Sequence, residues 1–141
     1  MSAVLYTMAR TAVDQAYAPY SRFLVGAALL TDNGFIITGV NVENAASPQG
    51  ICAERSAIVT AVGQGHHRFT DIAIAYRDES GASVGGPIRP CGGCLSVLHE
   101  FNPEGTLRVH CLDANGNVGI KTLRELLPYP FVFRNTPAPT T

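Results

Sequence analysis

Cys52, Glu54 and Arg55 stand within four consecutive residues, in the stretch GICAERSAIV (50–59), and Cys91 and Cys94 follow in PCGGC (90–94). A lone cysteine is most often a small buried hydrophobe, and a glutamate in a first helical turn most often answers the helix dipole. Two further thiols in C-x-x-C spacing change that weighing. At i and i+3, Cys91 and Cys94 share one face of a helix that starts after Pro90. Both lie in its first turn, where free N–H groups and the dipole favour thiolate. Cys52 heads a helical pattern of its own. Three thiolates from two helix N-termini can converge on one tetrahedral Zn2+ per chain and leave the fourth position open to water, as a catalytic zinc requires. Glu54, two residues past the first ligand, can reach that water as a proton shuttle.

Charge accounts for Arg55. A divalent ion held by three thiolates is left with net negative charge, which opposes ionisation of bound water. A guanidinium donating to the sulfurs draws charge away and restores Lewis acidity. The other candidates take blander roles. Cys111, in RVHCL, reads as a buried core thiol. His66 and His67 follow a helix stop at Gly63–Gly65 and read as exposed. His99 and His110 would be ligands only if Cys52 were not, and three ligands already complete a catalytic zinc.

The elements that must position these residues follow from periodicity. Residues 3–16 carry apolar side chains at helical spacing, ended by Pro19 in YAPYSRF. LVGAALL (24–30) and FIITGV (35–40) are strands joined by TDNG, with Asn33-Gly34 a hairpin signal. NVENAASPQG (41–50) is a polar loop, and residues 52–62 are helical. DIAIAY (71–76) is a buried strand, and residues 77–90 are an exposed loop. A helix over 91–101, a strand over 106–112, a short strand VGIKT and a short helix over 122–127 complete the order. That order predicts an α/β fold, a three-layer α/β/α sandwich with a mixed central sheet. Residues 1–133 read as a single domain, and residues 134–141 as a disordered tail.

Composition excludes several function classes. The chain has 141 residues, 46% hydrophobic and 15% charged, which suits one compact core without disulfide staples. A formal net charge of −1, with no basic run, argues against a nucleic-acid grip. The first twenty residues lack a basic region ahead of an apolar one, so neither a signal peptide nor a membrane span is expected. A cytoplasmic protein is the expectation, and its four cysteines then point to metal rather than to disulfides.

CAER (52–55) with PCGGC (90–94) resembles the zinc nucleoside deaminases, and specifically the small three-cysteine cytidine deaminases. AYAPYSRFLVGAALL, GVNVENAA and ELLPYPF are similar to further segments of that family, so the likeness runs over about residues 14–131. The resemblance implies that Asn41 and Glu43 bind the sugar hydroxyl, that Phe23 packs on the nucleoside, and that the Ala53 amide meets the pyrimidine carbonyl. It implies that Phe131 stacks on the base in a neighbouring subunit, within a homotetramer whose active sites are shared. Three positions depart from the family pattern. Leu95 and Ser96 replace Arg-Gln after the second C-x-x-C cysteine, and Ser47 stands where an aromatic is frequent. PYPFVF is also similar to deaminases of aminopyrimidine nucleoside antibiotics of the blasticidin type.

The reading is therefore a zinc-dependent hydrolytic deaminase of free cytidine or deoxycytidine, without nucleic-acid or membrane partners. Deamination of a modified or antibiotic aminopyrimidine nucleoside is the alternative. A nucleic-acid editor lacks its basic stripe, and a non-catalytic zinc module leaves Glu54 without a task.

Overall fold

The computed structural model describes residues 2–81 and 85–133. Five strands form one mixed sheet: β1 (Phe23–Thr31), β2 (Ile36–Val40), β3 (Phe69–Asp78), β4 (Arg108–Leu112) and β5 (Val118–Thr122), in the order β2-β1-β3-β4-β5. β1 is antiparallel to both neighbours, β3 and β4 are parallel, and β5 returns antiparallel. The β1–β2 hairpin turns where expected, with Gly34 in the left-handed region at φ 92°.

Helix α1 (Ser2–Ala12) covers one face through Leu5 and Ala9, which pack on Leu24, Ala28, Ala73 and Ala75. Helices α2 (Ala53–Gly63), α3 (Gly92–Phe101) and α4 (Leu123–Leu126) contribute Ala57, Ile58, Leu95, Leu98 and Leu123 to the core on the other face. This is the expected α/β/α sandwich. Because β1 runs opposite to both β2 and β3, those two strands point the same way, and the helices that follow them begin at the same end of the sheet. That end holds the site.

Two glycines set how closely the layers approach. A Cβ on Gly26 would lie 2.4 Å from the Ala9 carbonyl oxygen of α1. One on Gly39 would lie 2.3 Å from the Ala57 nitrogen and 2.5 Å from the Ala53 carbonyl oxygen of α2. Both contacts are backbone, so only glycine lets strand and helix meet there.

Several boundaries differ from the sequence reading. The first α-helix ends at Ala12 rather than near Pro19, because Val13–Gln15 tightens into a 3-10 turn. Ala16 is extended, and the Tyr17 amide then donates to the Asn41 carbonyl. β3 takes in Arg77 and Asp78 from the expected loop. At the far end of that loop Pro90 is buried, and the Ile88 amide donates to the Leu112 carbonyl at 3.3 Å. His66 and His67 are half-buried, His66 lying 5.2 Å from the Phe35 ring between centroids. Residues 134–141, expected as a disordered tail, lie outside the described residues.

One buried cluster of titratable groups ties α1 to the sheet. Asp71 on β3 accepts from Arg108 at 2.9 and 3.0 Å and lies 2.7 Å from His110 Nε2, whose Nδ1 is 2.6 Å from the Tyr6 hydroxyl. Burial works against the Asp71 carboxylate, but the bonds from Arg108 and His110 outweigh it and hold its pKa below the usual range. His110 is thus a structural residue between α1 and the sheet, not a ligand.

Candidate active site

Cys52 and Cys91 occupy equivalent places as the N-cap residues of α2 and α3, both in extended backbone conformation. The Cys91 sulfur accepts from the Cys94 amide at 3.4 Å, satisfying one of the open donors of the α3 terminus. Cys94 follows one turn on, fully buried. The three Sγ atoms lie within 4.8 Å of one another, with Cys52 to Cys91 at 4.0 Å and Cys91 to Cys94 at 3.3 Å. Thiolates bound tetrahedrally at about 2.3 Å from zinc stand about 3.8 Å apart, so this cluster brackets the spacing that one ion needs. Among the described residues it is the only such group, and neither Cys111 nor any histidine joins it.

The protonation of the thiols follows from their surroundings. Burial opposes ionisation of Cys91, but hydrogen bonds from the Cys94 amide and thiol and from Cys52 prevail and lower its pKa. Burial raises Cys52 and Cys94. A divalent cation entering the cluster must displace those protons, so metal capture is linked to pH.

Glu54 is only 5% exposed, and burial pushes its carboxyl above the ordinary glutamate range. A carboxyl that holds its proton more readily than an exposed glutamate suits proton transfer in both directions. Arg55 is half-buried beside it and donates to the Cys52 and Cys94 sulfurs, which raises its own pKa further. The guanidinium therefore lies where the charge argument requires it.

A cavity of about 640 Å3 opens over the cluster, a size that takes small organic ligands. Its walls are the start of β1 with the preceding turn, the loop over residues 41–51, the N-terminus of α2, and residues 88–91. Phe23, Asn41, Glu43 and Ala53 all line it, as does Ser47. Phe23 stacks on Tyr76 at 5.2 Å and 25°. The Asn41 side chain clamps β1, accepting from the Val25 amide and donating to the Phe23 carbonyl, each at 2.8 Å. One amide hydrogen and one oxygen lone pair remain for a ligand. Glu43 accepts from the Tyr20 and Ser21 amides at 2.9 and 3.1 Å and from the Ser21 hydroxyl, which lowers its pKa. Phe131 is exposed and does not line the cavity of its own chain.

The family model of the cytidine and deoxycytidylate deaminase zinc-binding region matches residues 2–109. The chain belongs to that family. It is 39% identical over 127 residues to a cytidine deaminase of Sporosarcina psychrophila, covering 90% of this chain and 88% of the relative. A blasticidin-S deaminase of Bacillus cereus is 32% identical over 110 residues, 76% of each chain. The crystal structure of cytidine deaminase from Burkholderia pseudomallei superposes with a TM-score of 0.83 at 38% identity, covering 93% of this chain and 99% of the other. The deaminase is thus a hydrolytic enzyme with a zinc-binding region, and its Cys52/Cys91/Cys94 group could hold one metal ion.

Two features of the deaminase site escaped the sequence reading. Gly39 seats the α2 N-terminus against β2, and a glycine within a strand is a signal shared by Gly119, which meets nothing within 4 Å, so it does not by itself name the approach. Arg89 lines the cavity two residues before Cys91, and its charge beside PCGGC was the available clue. Leu95, one of the departures from the family pattern, is buried in the core below the cluster, whereas Ser96 is exposed. No helix among the described residues is long and apolar enough to cross a membrane.

Proposed function

We propose that this deaminase converts cytidine or deoxycytidine to the uracil nucleoside and ammonia. Cys52, Cys91 and Cys94 would hold the zinc ion. When bound, zinc supplies the Lewis acidity that makes water a nucleophile near neutral pH. The remaining work belongs to the chain. Glu54 takes a proton from water, delivers it to N3 of the pyrimidine, and later passes a proton to the departing amino group. A C4–O bond forms, the C4–N bond breaks, and ammonia leaves. Arg55 withdraws charge from the sulfurs. Phe23 packs on the nucleoside, and the Ala53 amide orients the base through its carbonyl. Asn41 and Glu43 meet the sugar hydroxyl, which their hydrogen bonds to the backbone of residues 20–25 hold them ready to do.

The observation that carries this reading is the buried Glu54 beside the three-thiol cluster at the floor of the cavity. A structural zinc would need a fourth protein ligand, and would give Glu54 no reason to be buried. The small-nucleoside reading also includes a cytoplasmic homotetramer in which Phe131 closes a partner's site. Metal content together with ammonia release across cytidine, deoxycytidine, adenosine and single-stranded DNA tests the function. One zinc per chain with turnover confined to pyrimidine nucleosides is the expected result. Zinc without ammonia from any of them would reduce the protein to a binding module.

Antibiotic aminopyrimidine nucleosides are a second reading with its own observation. Ser47 lies in an exposed 3-10 turn (Ser47–Gln49) on the cavity wall, in place of the family's frequent aromatic, which leaves room for a larger nucleoside. Turnover of blasticidin S in the same panel decides it.

A further inference from the structure

The charged groups of the cavity wall are almost all committed. Glu43 holds the Tyr20–Ser21 turn through three hydrogen bonds. Glu54 is enclosed at the floor, and Arg55 is engaged by the Cys52 and Cys94 sulfurs. Arg89 is the exception. It lines the cavity and is exposed, yet has no hydrogen bond or ion pair with any described residue. Its charge reaches the buried Cys111 thiol, an uncharged group whose ionisation burial suppresses.

Position tells which part of a ligand this cation would meet. Along residues 88–90 the chain runs half-buried, exposed, buried, so Ile88 and Pro90 anchor the segment and Arg89 is its exposed residue. Glu54 and Ala53, which act on the pyrimidine in the proposed reaction, are buried in the same cavity, whereas Arg89 is exposed. With the base at the floor, the sugar occupies the outer part of the cavity, the level of an exposed residue such as Arg89. An uncommitted guanidinium there is a fork of donors matched to the paired oxygens of a phosphate or carboxylate. The cavity, at about 640 Å3 and with Ser47 rather than an aromatic in its wall, has room for such a substituent.

We propose that Arg89 is a specificity residue that favours pyrimidine nucleosides whose sugar carries an anion, a phosphate or a carboxylate. The proposal rests on the deaminase reading above for the placement of the base. It leaves the reaction at C4 unchanged and concerns only which substrates reach it.

The test uses the zinc-loaded full chain and compares wild type with Arg89→Ala, Arg89→Lys and Arg89→Glu. The substrates are deoxycytidine, deoxycytidine 5′-monophosphate, and cytidine with its 5′ carbon oxidised to a carboxylate. The readout is the ratio of kcat/KM for each anionic substrate to that for deoxycytidine. Calorimetric binding of uridine 5′-monophosphate and of uridine at low and high salt supplies a second readout that needs no turnover. Arg89→Ala should lower the anionic-to-neutral ratio by about 10- to 100-fold, the range of one charged hydrogen-bonding partner. Arg89→Lys should keep part of the preference, and Arg89→Glu should fall below Arg89→Ala. The salt-sensitive part of uridine 5′-monophosphate binding should vanish with the arginine. A ratio that moves for one anion only assigns the site to that anion. Ratios equal in wild type and Arg89→Ala for both anions, with equal binding of the two uridine ligands, would overturn the proposal. Absence of ammonia from every substrate would count against the deaminase reading instead, while the binding comparison would still decide the role of Arg89.

Discussion

Glu54 meets two demands that oppose each other. It must sit in a water-poor floor to exchange protons with substrate, and that burial disfavours its charged form and raises its pKa. In the metal-free fold the neutral acid is therefore the better-tolerated state. Its contribution to stability is fully present below the unfolded-state pKa and is lost as pH rises through the higher folded value. Glu54→Gln is neutral at every pH. The metal-free variant should melt at a higher temperature than wild type at neutral pH and show a flatter pH dependence of Tm. The zinc-loaded variant should keep its metal and lose activity on the order of 10²–10⁴-fold. Ammonia release near the wild-type rate would remove Glu54 from the mechanism, and a lowered Tm would remove the burial argument. The reactive residues were legible in the sequence because each is placed by a local rule. Cys91 and Cys94 are one helical turn apart, and Cys52 and Glu54 straddle a helix start. Asn41 and Glu43 were placed only by resemblance, because their partners at residues 20–25 lie 16 to 23 positions away.

At the scale of elements, the site exists because α2 and α3 begin side by side at one end of the sheet. The elements themselves were legible from hydrophobic period, and the Asn33-Gly34 hairpin from its turn residues. The register between layers was not, since nothing local distinguishes a strand glycine that contacts a helix from one that does not. Gly39 shows what that register is worth. A methyl group there would sit 2.3 Å from the Ala57 nitrogen, and an ordinary contact needs about 1 Å more, so α2 must move away from β2. Cys52, Ala53, Glu54 and Arg55 move with it. Gly39→Ala should cost about 1–3 kcal/mol of stability as an overpacking change. Under conditions where it remains folded, it should lose on the order of 10²-fold in turnover, the scale of a 1 Å misplacement. Gly63→Ala, at the far end of the same helix with nothing within 4 Å of the added carbon, is the control and should leave turnover unchanged and stability no lower, raised by at most about 1 kcal/mol. A Gly39→Ala enzyme with wild-type turnover would show that the approach of β2 does not set the active-site geometry.

At the scale of the whole molecule, the single chain carries a run of exposed apolar side chains. Tyr129, Phe131, Val132 and Phe133 are all exposed in succession after α4, Phe131 at 79%. Near the cavity, Tyr17, Tyr20 and Val42 are exposed as well, and Tyr20 and Val42 stand in its wall. A segment this apolar, lying outside the cavity of its own chain, fits the proposed tetramer in which Phe131 enters a partner's site. Sequence resemblance could suggest that arrangement, but periodicity could not, because a short terminal run of aromatics reads equally well as core. The arrangement has a consequence in binding and another in assembly. Phe131→Ala should weaken nucleoside binding by about 1–3 kcal/mol, the range of one base–aromatic stack, measured by titration with a uracil nucleoside. Sedimentation should show an oligomer for the wild type, and dilution below its dissociation constant should abolish turnover while the fold persists. The two measurements separate stacking from assembly. If Phe131→Ala remains oligomeric and binds weakly, the ring acts on the ligand; if it dissociates, the ring acts through the interface. A wild-type monomer with full activity would exclude both, and would leave each cavity to work with the residues of its own chain alone.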